Sequence, residues 1–364
     1  MKPIWVPVFI VVWTVLLAAQ AVALEKAIQD GWAVDNNDRV LLTPQVARKM
    51  RDSGAKWVRL HFRLNARHSQ WEEPLLAAYR QAVQNLCREK LRILGLVTYE
   101  SWPGTQAQWI ENSAEVHGGN GDNAYIRAFA EKALRTLLAR FPEVTHWEIW
   151  NEPNCWTTHP PGDREKLPGQ FYVYPSNFAW ILRRSYEEMR RGHRRAILIA
   201  GGLLGADFTG NPDADVAAPY LREVFAKGKK FAGWEEFRRR YKTWPADHWG
   251  LHLYISSGSK LDGDYFARFP AAFVMALREL EGSKTRKQVW ITEIGWATPP
   301  NGLSESDQAA NVRTMLQTLR TQPQIGPVFY FKLTDEPAAD LYYGLLRADG
   351  TPKKAWEAFC AWMK

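Results

Sequence analysis

Two glutamates stand out by what surrounds them. The run Trp147-Glu148-Ile149-Trp150-Asn151-Glu152-Pro153-Asn154 ends a short β pattern on a carboxylate beside an amide. Further on, Trp290-Ile291-Thr292-Glu293-Ile294-Gly295-Trp296 ends another apolar run on a glutamate with tryptophan close by. Two carboxylates at strand ends, ringed by aromatics, are the parts needed to split a glycosidic bond. One carboxyl must hold a proton for the leaving oxygen and the other must be ionised, so their surroundings have to differ. The Asn151 amide can bond a hydroxyl beside the reacting carbon. Glu293 can accept bonds from Arg59 and Tyr254, which favours its ionised form. An isolated Glu is ordinarily a paired surface carboxylate; the repetition of the pattern argues against that here.

These residues need a frame. Strand candidates fall at 27–34, 56–62, 92–99, 144–150, 196–201, 249–255, 288–293 and 328–333. Helical patterns follow them at 43–53, 73–90, 123–140, 175–191, 214–227, 267–281, 304–321 and 353–363. The first has Thr43 as N-cap and Pro44 in its first turn. Eight strands each followed by a helix predict an α/β fold, a single (β/α)8 TIM barrel. The competitor, a doubly wound sheet, would carry a Gly-rich phosphate loop after its first strand. Gly201, Gly202 and Gly205 follow the fifth strand instead and lack that spacing. In a barrel, active sites form at the C-terminal strand ends, and strands four and seven face each other across the opening.

The chain of 364 residues is 46% hydrophobic and 24% charged, enough for one large core. Residues 1–23 read as a signal segment. Lys2 precedes an apolar stretch, and Ala21-Val22-Ala23 fits small-x-small cleavage before Leu24. An uncleaved anchor is the alternative, since about 20 apolar residues span a bilayer. Either way residues 24–364 form the exported catalytic domain, periplasmic or secreted, with no further membrane segment. Cys87, Cys155 and Cys360 make no disulfide framework; at most one bridge forms, and their spacing excludes a zinc finger. The formal net charge is +8, densest at Lys227–Lys242, with no nucleic-acid-binding motif beside it. A solvated surface accounts for such a patch; binding to acidic polymers is the functional alternative. Eighteen tryptophans exceed what a core needs, and about half are expected to be core, following the general burial pattern of Trp.

The motifs carry a family resemblance. W-N-E-P-N and W-I-T-E-I-G-W resemble the acid/base and nucleophile signatures of clan A retaining glycoside hydrolases, and within the clan glycoside hydrolase family 39 and related bacterial exopolysaccharide glycosidases. Asp247–Tyr254 resembles the clan's strand-six His-x-Tyr, Lys56–Arg59 its strand-two arginine, and Gly344–Lys353 the family's last loop. The resemblance implies Glu152 as acid/base, Glu293 as nucleophile and Asn151 as the 2-hydroxyl contact, with Arg59, His252 and Tyr254 framing the cleaved sugar. It implies no cofactor and no metal. Two departures stand against it. Strand eight reads Phe329-Tyr330-Phe331-Lys332-Leu333 where clan members commonly place Trp, and the C-terminal β-sandwich common among family 39 xylosidases is missing, which counts against a xyloside substrate. Lys332 is a candidate contact for a substrate anion, or else a surface lysine. Tyr99, Trp102, Trp156 and Trp296, in strand-end loops, are candidate groove walls, as is the long loop 155–174. His61, His117, His146 and His159 lack metal-ligand spacing.

The expected activity is retaining hydrolysis of O-glycosidic bonds within a polysaccharide. Exo-action on small glycosides is the second expectation. The rival of another class is a glycan-binding protein of an exopolysaccharide system with vestigial catalysis; two intact glutamates argue against it.

Overall fold

The structure, a computed structural model, describes residues 24–30, 32–104, 112–155, 172–205, 215–254, 263–300 and 302–362. Eight parallel strands close into a barrel in chain order: β1 (Lys26–Gln29), β2 (Trp57–Phe62), β3 (Arg92–Val97), β4 (His146–Asn151), β5 (Ile197–Leu204), β6 (His248–His252), β7 (Val289–Ile294) and β8 (Ile325–Phe331). β1 pairs with both β2 and β8, which seals the ring. The predicted (β/α)8 barrel is therefore the observed one. The expectation for strand one ran too long, because the ladder stops at Gln29; that for strand five stopped short of Leu204.

The helices packed around the ring are α1 (Pro44–Asp52), α2 (Glu73–Arg88), α3 (Ala124–Ala128), α4 (Arg135–Arg140), α5 (Pro175–Gly192), α6 (Ala217–Phe231), α7 (Trp234–Tyr241), α8 (Gly263–Glu281), α9 (Glu305–Leu319) and α10 (Lys354–Ala361). Thr43 caps α1 by accepting from the Val46 amide, and Pro44 sits in its first turn as the sequence predicts. A π-helical turn, Phe129–Leu134, joins α3 to α4 where one helix was expected. The sequence reading missed α7. Its run of charges hides a short amphipathic helix anchored by buried Trp234 and Phe237, three residues apart.

Two apolar layers hold the barrel. The large one lies between strands and helices, where β4 contributes Trp147 and Ile149. The second is a plug inside the ring: Ala27, Trp57, Leu94, Ile199, Trp290 and Phe329, from six different strands. Below it, at the N-terminal strand ends, His146 and His248 stack on Trp290 at 5.4 and 5.9 Å. Burial pushes both imidazoles down to about 4, so they pack as neutral rings. Trp57, Trp147, Trp150, Trp234, Trp244, Trp249, Trp290 and Trp296 are all buried, so most of the tryptophan among the described residues is core. Cys87, Cys155 and Cys360 form no disulfide with one another. No helix among the described residues is long and apolar enough to cross a membrane. The signal or anchor segment and Trp156 lie outside the described residues, as does most of loop 155–174.

Candidate active site

Strict alternation along β4 would send Asn151 outward with Trp147 and Ile149. Two left-handed residues break it: φ is +81° at Trp150 and +45° at Glu152. Such backbone in a non-glycine residue costs on the order of 1–3 kcal/mol and is held by its surroundings. Here Trp150 packs edge-on to Phe129 and Tyr99. Asn154 clamps the loop to β5, donating to the Leu204 carbonyl (2.9 Å) and accepting from the Leu204 amide (2.8 Å). Asn151 and Glu152 are thereby both turned over the barrel mouth. β7 solves the same problem with a bulge. Leu251 pairs with Ile291 but His252 pairs with Glu293, so β7 spends one extra residue and Glu293 points inward after Thr292.

The two carboxylates meet at the mouth, each residue 7% exposed. One oxygen from Glu152, one from Glu293 and a His252 ring nitrogen all lie within 4.8 Å of one another. His252 Nδ1 is 2.8 Å from Glu152 Oε1 and 3.8 Å from Glu293 Oε2. The Tyr254 hydroxyl donates to Glu293 Oε2 at 2.6 Å. Arg59, 1% exposed, is the hub beneath: Nε donates to Glu148 (2.5 Å), Nη1 to Gln29 (2.5 Å) and to Glu293, and Nη2 to Asn151 Oδ1 (2.8 Å). Because Arg59 claims the amide oxygen, the Asn151 NH₂ is the end left to donate elsewhere.

The electrostatics of Glu293 follow. Burial raises its pKa, but His252, Arg59 and the bonds from Tyr254 and Gln29 outweigh burial and hold it below the ordinary carboxylate value. Burial, then the Glu293 charge, push the Tyr254 hydroxyl well above 10, so it stays a donor. Burial lowers His61 to about 3, and it packs as a neutral ring against the Thr98 hydroxyl. As metal ligands, Glu152, His252 and Glu293 are the one group of three found among the described residues. The Arg59 guanidinium on Glu293 already neutralises that carboxylate and would repel a cation.

Arg59, Asn151, Glu152, His252, Tyr254 and Glu293, all singled out from the sequence, thus form one bonded network. Tyr99 stands beside it, its pKa raised by burial and then by Glu100, Glu152 and Glu293. Trp102 is half-buried, with the Lys132 ammonium 5.6 Å over its ring. Trp296 is not brought to the network: it is 4% exposed and packs against Phe266 of α8 and Tyr330 of β8. Lys332 is neither a surface lysine nor an open cation; it is 3% exposed and ion-paired with Glu336.

Sequence reading missed three parts. Buried Glu148 and half-buried Gln29 are further partners of Arg59. Glu148 lay inside the quoted motif, and a charge in mid-strand was its signal. Gly202 is the third: a Cβ there would stand 2.0 Å from His252 Nε2, so only glycine leaves room for the imidazole. Where clan members carry Trp on strand eight, Phe331 stands with Tyr343 (5.5 Å) and Tyr254 (6.1 Å) as an aromatic wall. Exposed Trp32, just past β1, carries the Arg63 guanidinium 3.2 Å above its ring.

Residues 223–359 match the family model of the glycosyl hydrolase catalytic core. No curated protein matches the chain. Among solved structures, a family 39 glycoside hydrolase from the gut symbiont Bacteroides cellulosilyticus is similar, at 18% identity and TM-score 0.59 over 93% of this chain and 63% of that one. A family 5 subfamily 18 enzyme from Streptomyces cattleya, solved with GlcNAc, matches at 14% and 0.62 over 94% and 80%. A broad-specificity family 5 endoglucanase from Clostridium longisporum matches at 11% and 0.60 over 93% and 95%. These likenesses are of fold. The chain spans under two thirds of the family 39 relative's length.

Proposed function

We propose, from a glycosyl hydrolase catalytic core on a clan A barrel, that this chain is a retaining glycosidase that cuts within a polysaccharide. The carrying observation is the approach of the two carboxylates, an oxygen of each within 4.8 Å. Retaining enzymes hold them about 5–5.5 Å apart, while inverting ones need about 6.5–9.5 Å to admit a water.

In the first step a Glu293 oxygen attacks the anomeric carbon and the bond to the leaving oxygen breaks. Glu152 delivers its proton to that oxygen, leaving a glycosyl ester on Glu293. In the second step Glu152 takes a proton from water, the oxygen adds to the anomeric carbon, and the Glu293 carboxylate departs. The depressed pKa of Glu293 suits the nucleophile. His252, in contact with Glu152, orients the acid/base, and the free end of Asn151 suits a sugar hydroxyl beside the reacting carbon. Phe331 and Tyr343 supply apolar faces for the ring being cleaved. Endo-action is favoured by aromatics placed well apart around the mouth: Trp32, Tyr99, Trp102 and Tyr343. The N-terminal segment supports export, with Leu24 as the first residue of the mature enzyme.

The test is turnover of a panel of neutral and acidic glycans, with proton NMR of the first product before mutarotation. Retained configuration and internal cleavage support the reading. Inverted product, or no turnover of any glycan, overturns it.

A further inference from the structure

A cavity of about 610 Å³ lies at the other end of the barrel from the carboxylates. It opens beneath the starts of β6 and β7, between α7 and the segment that joins α8 to β7. Four residue steps of strand, about 13 Å, separate His248 from His252 and Val289 from Glu293. The aromatic plug fills that interval, so this is a separate site.

Five cations line the cavity: Arg238, Lys242, Lys284, Arg286 and Lys287. Its two acids are already engaged. Asp247 accepts from Arg190 (2.7 Å) and the Leu198 amide (2.8 Å), and Glu281 pairs with Lys287 (2.9 Å). Arg238, Lys242, Lys284 and Arg286 have no carboxylate within 4.0 Å among the described residues. They come from two chain segments some forty residues apart, brought together only by closure of the barrel. Trp244 backs the cavity, with the Arg238 guanidinium 4.8 Å over its ring, and Thr243 and Thr285 add hydroxyls. From the basic patch at Lys227–Lys242, Arg238 and Lys242 line this cavity, at the opposite end of the barrel from Lys332. The patch and Lys332 do not form a single anion site.

We propose that this cavity is a second carbohydrate site, which binds an acidic oligosaccharide segment through its carboxylate or sulfate groups and holds the polymer near the enzyme. The proposal rests on the glycosidase reading for its choice of ligand. Its volume falls within the range of discrete ligand sites, about 300–1,000 Å³. A concave pocket with Trp244 and two threonines beside its cations suits a chain segment, whereas attraction to an anionic lipid surface needs only the cations.

The experiment is calorimetric titration of the full chain with oligogalacturonate at low salt, beside neutral maltotetraose and phosphatidylglycerol vesicles. Oligogalacturonate should bind, maltotetraose should not, and added salt should weaken the binding. Arg238→Ala/Lys242→Ala and Lys284→Ala/Arg286→Ala should each bind about tenfold more weakly. Arg238→Lys/Lys284→Arg should bind like the parent, and all variants should cleave a small aryl glycoside at parental rate. Equal binding by parent and both alanine pairs overturns the site. Binding to vesicles without oligogalacturonate binding overturns the glycan assignment. If glycans are hydrolysed while binding ignores these cations, the site falls and the glycosidase reading stands. If binding follows the cations but no glycan is turned over, the reverse holds.

Discussion

Tyr254→Phe isolates one interaction at the heart of the site. It deletes a hydroxyl and keeps the ring that packs near Phe331 and Tyr343. The lost contact is a 2.6 Å donation to Glu293 Oε2. A hydrogen bond to a charged group contributes about 1.5–3 kcal/mol. One pKa unit corresponds to about 1.36 kcal/mol. The Glu293 pKa should therefore rise, by an amount this energy sets, because the removed donor favoured only the ionised form. Arg59 and His252 remain to keep it partly depressed. The sign for rate is fixed: the nucleophile must be ionised, so the acid limb of kcat/KM moves to higher pH. For stability, a depressed carboxyl contributes fully above its ordinary value and loses that contribution as pH falls through its folded pKa. The variant should thus give up part of that increment near neutral pH. The assay is kcat/KM against pH with an activated aryl glycoside, beside a thermal melt at each pH. An acid limb that stays in place in a normally folded variant refutes the reasoning, because Tyr254 would then not set the charge on Glu293.

The other predictions follow from neighbouring parts. Glu152→Ala should form a glycosyl-enzyme from an activated aryl glycoside and stall; azide should release the sugar with its original configuration. With Glu293→Ala azide should attack directly and give the inverted product, and product NMR that reverses this pattern swaps the two roles. Gly202→Ala drives a methyl into His252, and such overpacking costs about 1–3 kcal/mol; kcat should fall more than KM rises, as read by steady-state kinetics. Arg59→Met leaves Glu148 and Glu293 buried without their cation, and urea denaturation should show a loss of about 3–5 kcal/mol. N-terminal sequencing of the exported protein should begin at Leu24, and a start at Met1 with membrane retention makes the segment an anchor.

What the sequence revealed and what it hid follow a physical line. Glu152 and Glu293 were legible because each ends a β pattern, and a closed barrel gathers strand ends at one mouth; Arg59, inside β2, and His252 and Tyr254 were legible through the family resemblance. Gln29 and Glu148 were not, since their partner is Arg59 on a different strand and the contact exists only once the ring closes. Trp296 carried the same local signal as a groove tryptophan, but Phe266 and Tyr330, remote in sequence, make its seat. Lys332 read as open because Glu336 lies on the turn after β8, where no periodicity predicts a partner. The breaks in alternation at Trp150 and Glu152 and the β7 bulge leave no trace in residue type, though they decide which way both carboxylates face. Helix α7 was hidden by its own charges, since two buried anchors are too few for a periodic signal.

The central claim is that Glu293 becomes covalently attached to the sugar. Its most direct test is peptide mapping by mass spectrometry after incubation with an aryl 2-deoxy-2-fluoro-glycoside of the sugar that the glycan panel identifies, which slows release of the intermediate. One added glycosyl group is expected, on the peptide holding Glu293 and on that side chain. A label on Glu152 or on any other residue, or inverting turnover with no covalent adduct at all, contradicts it.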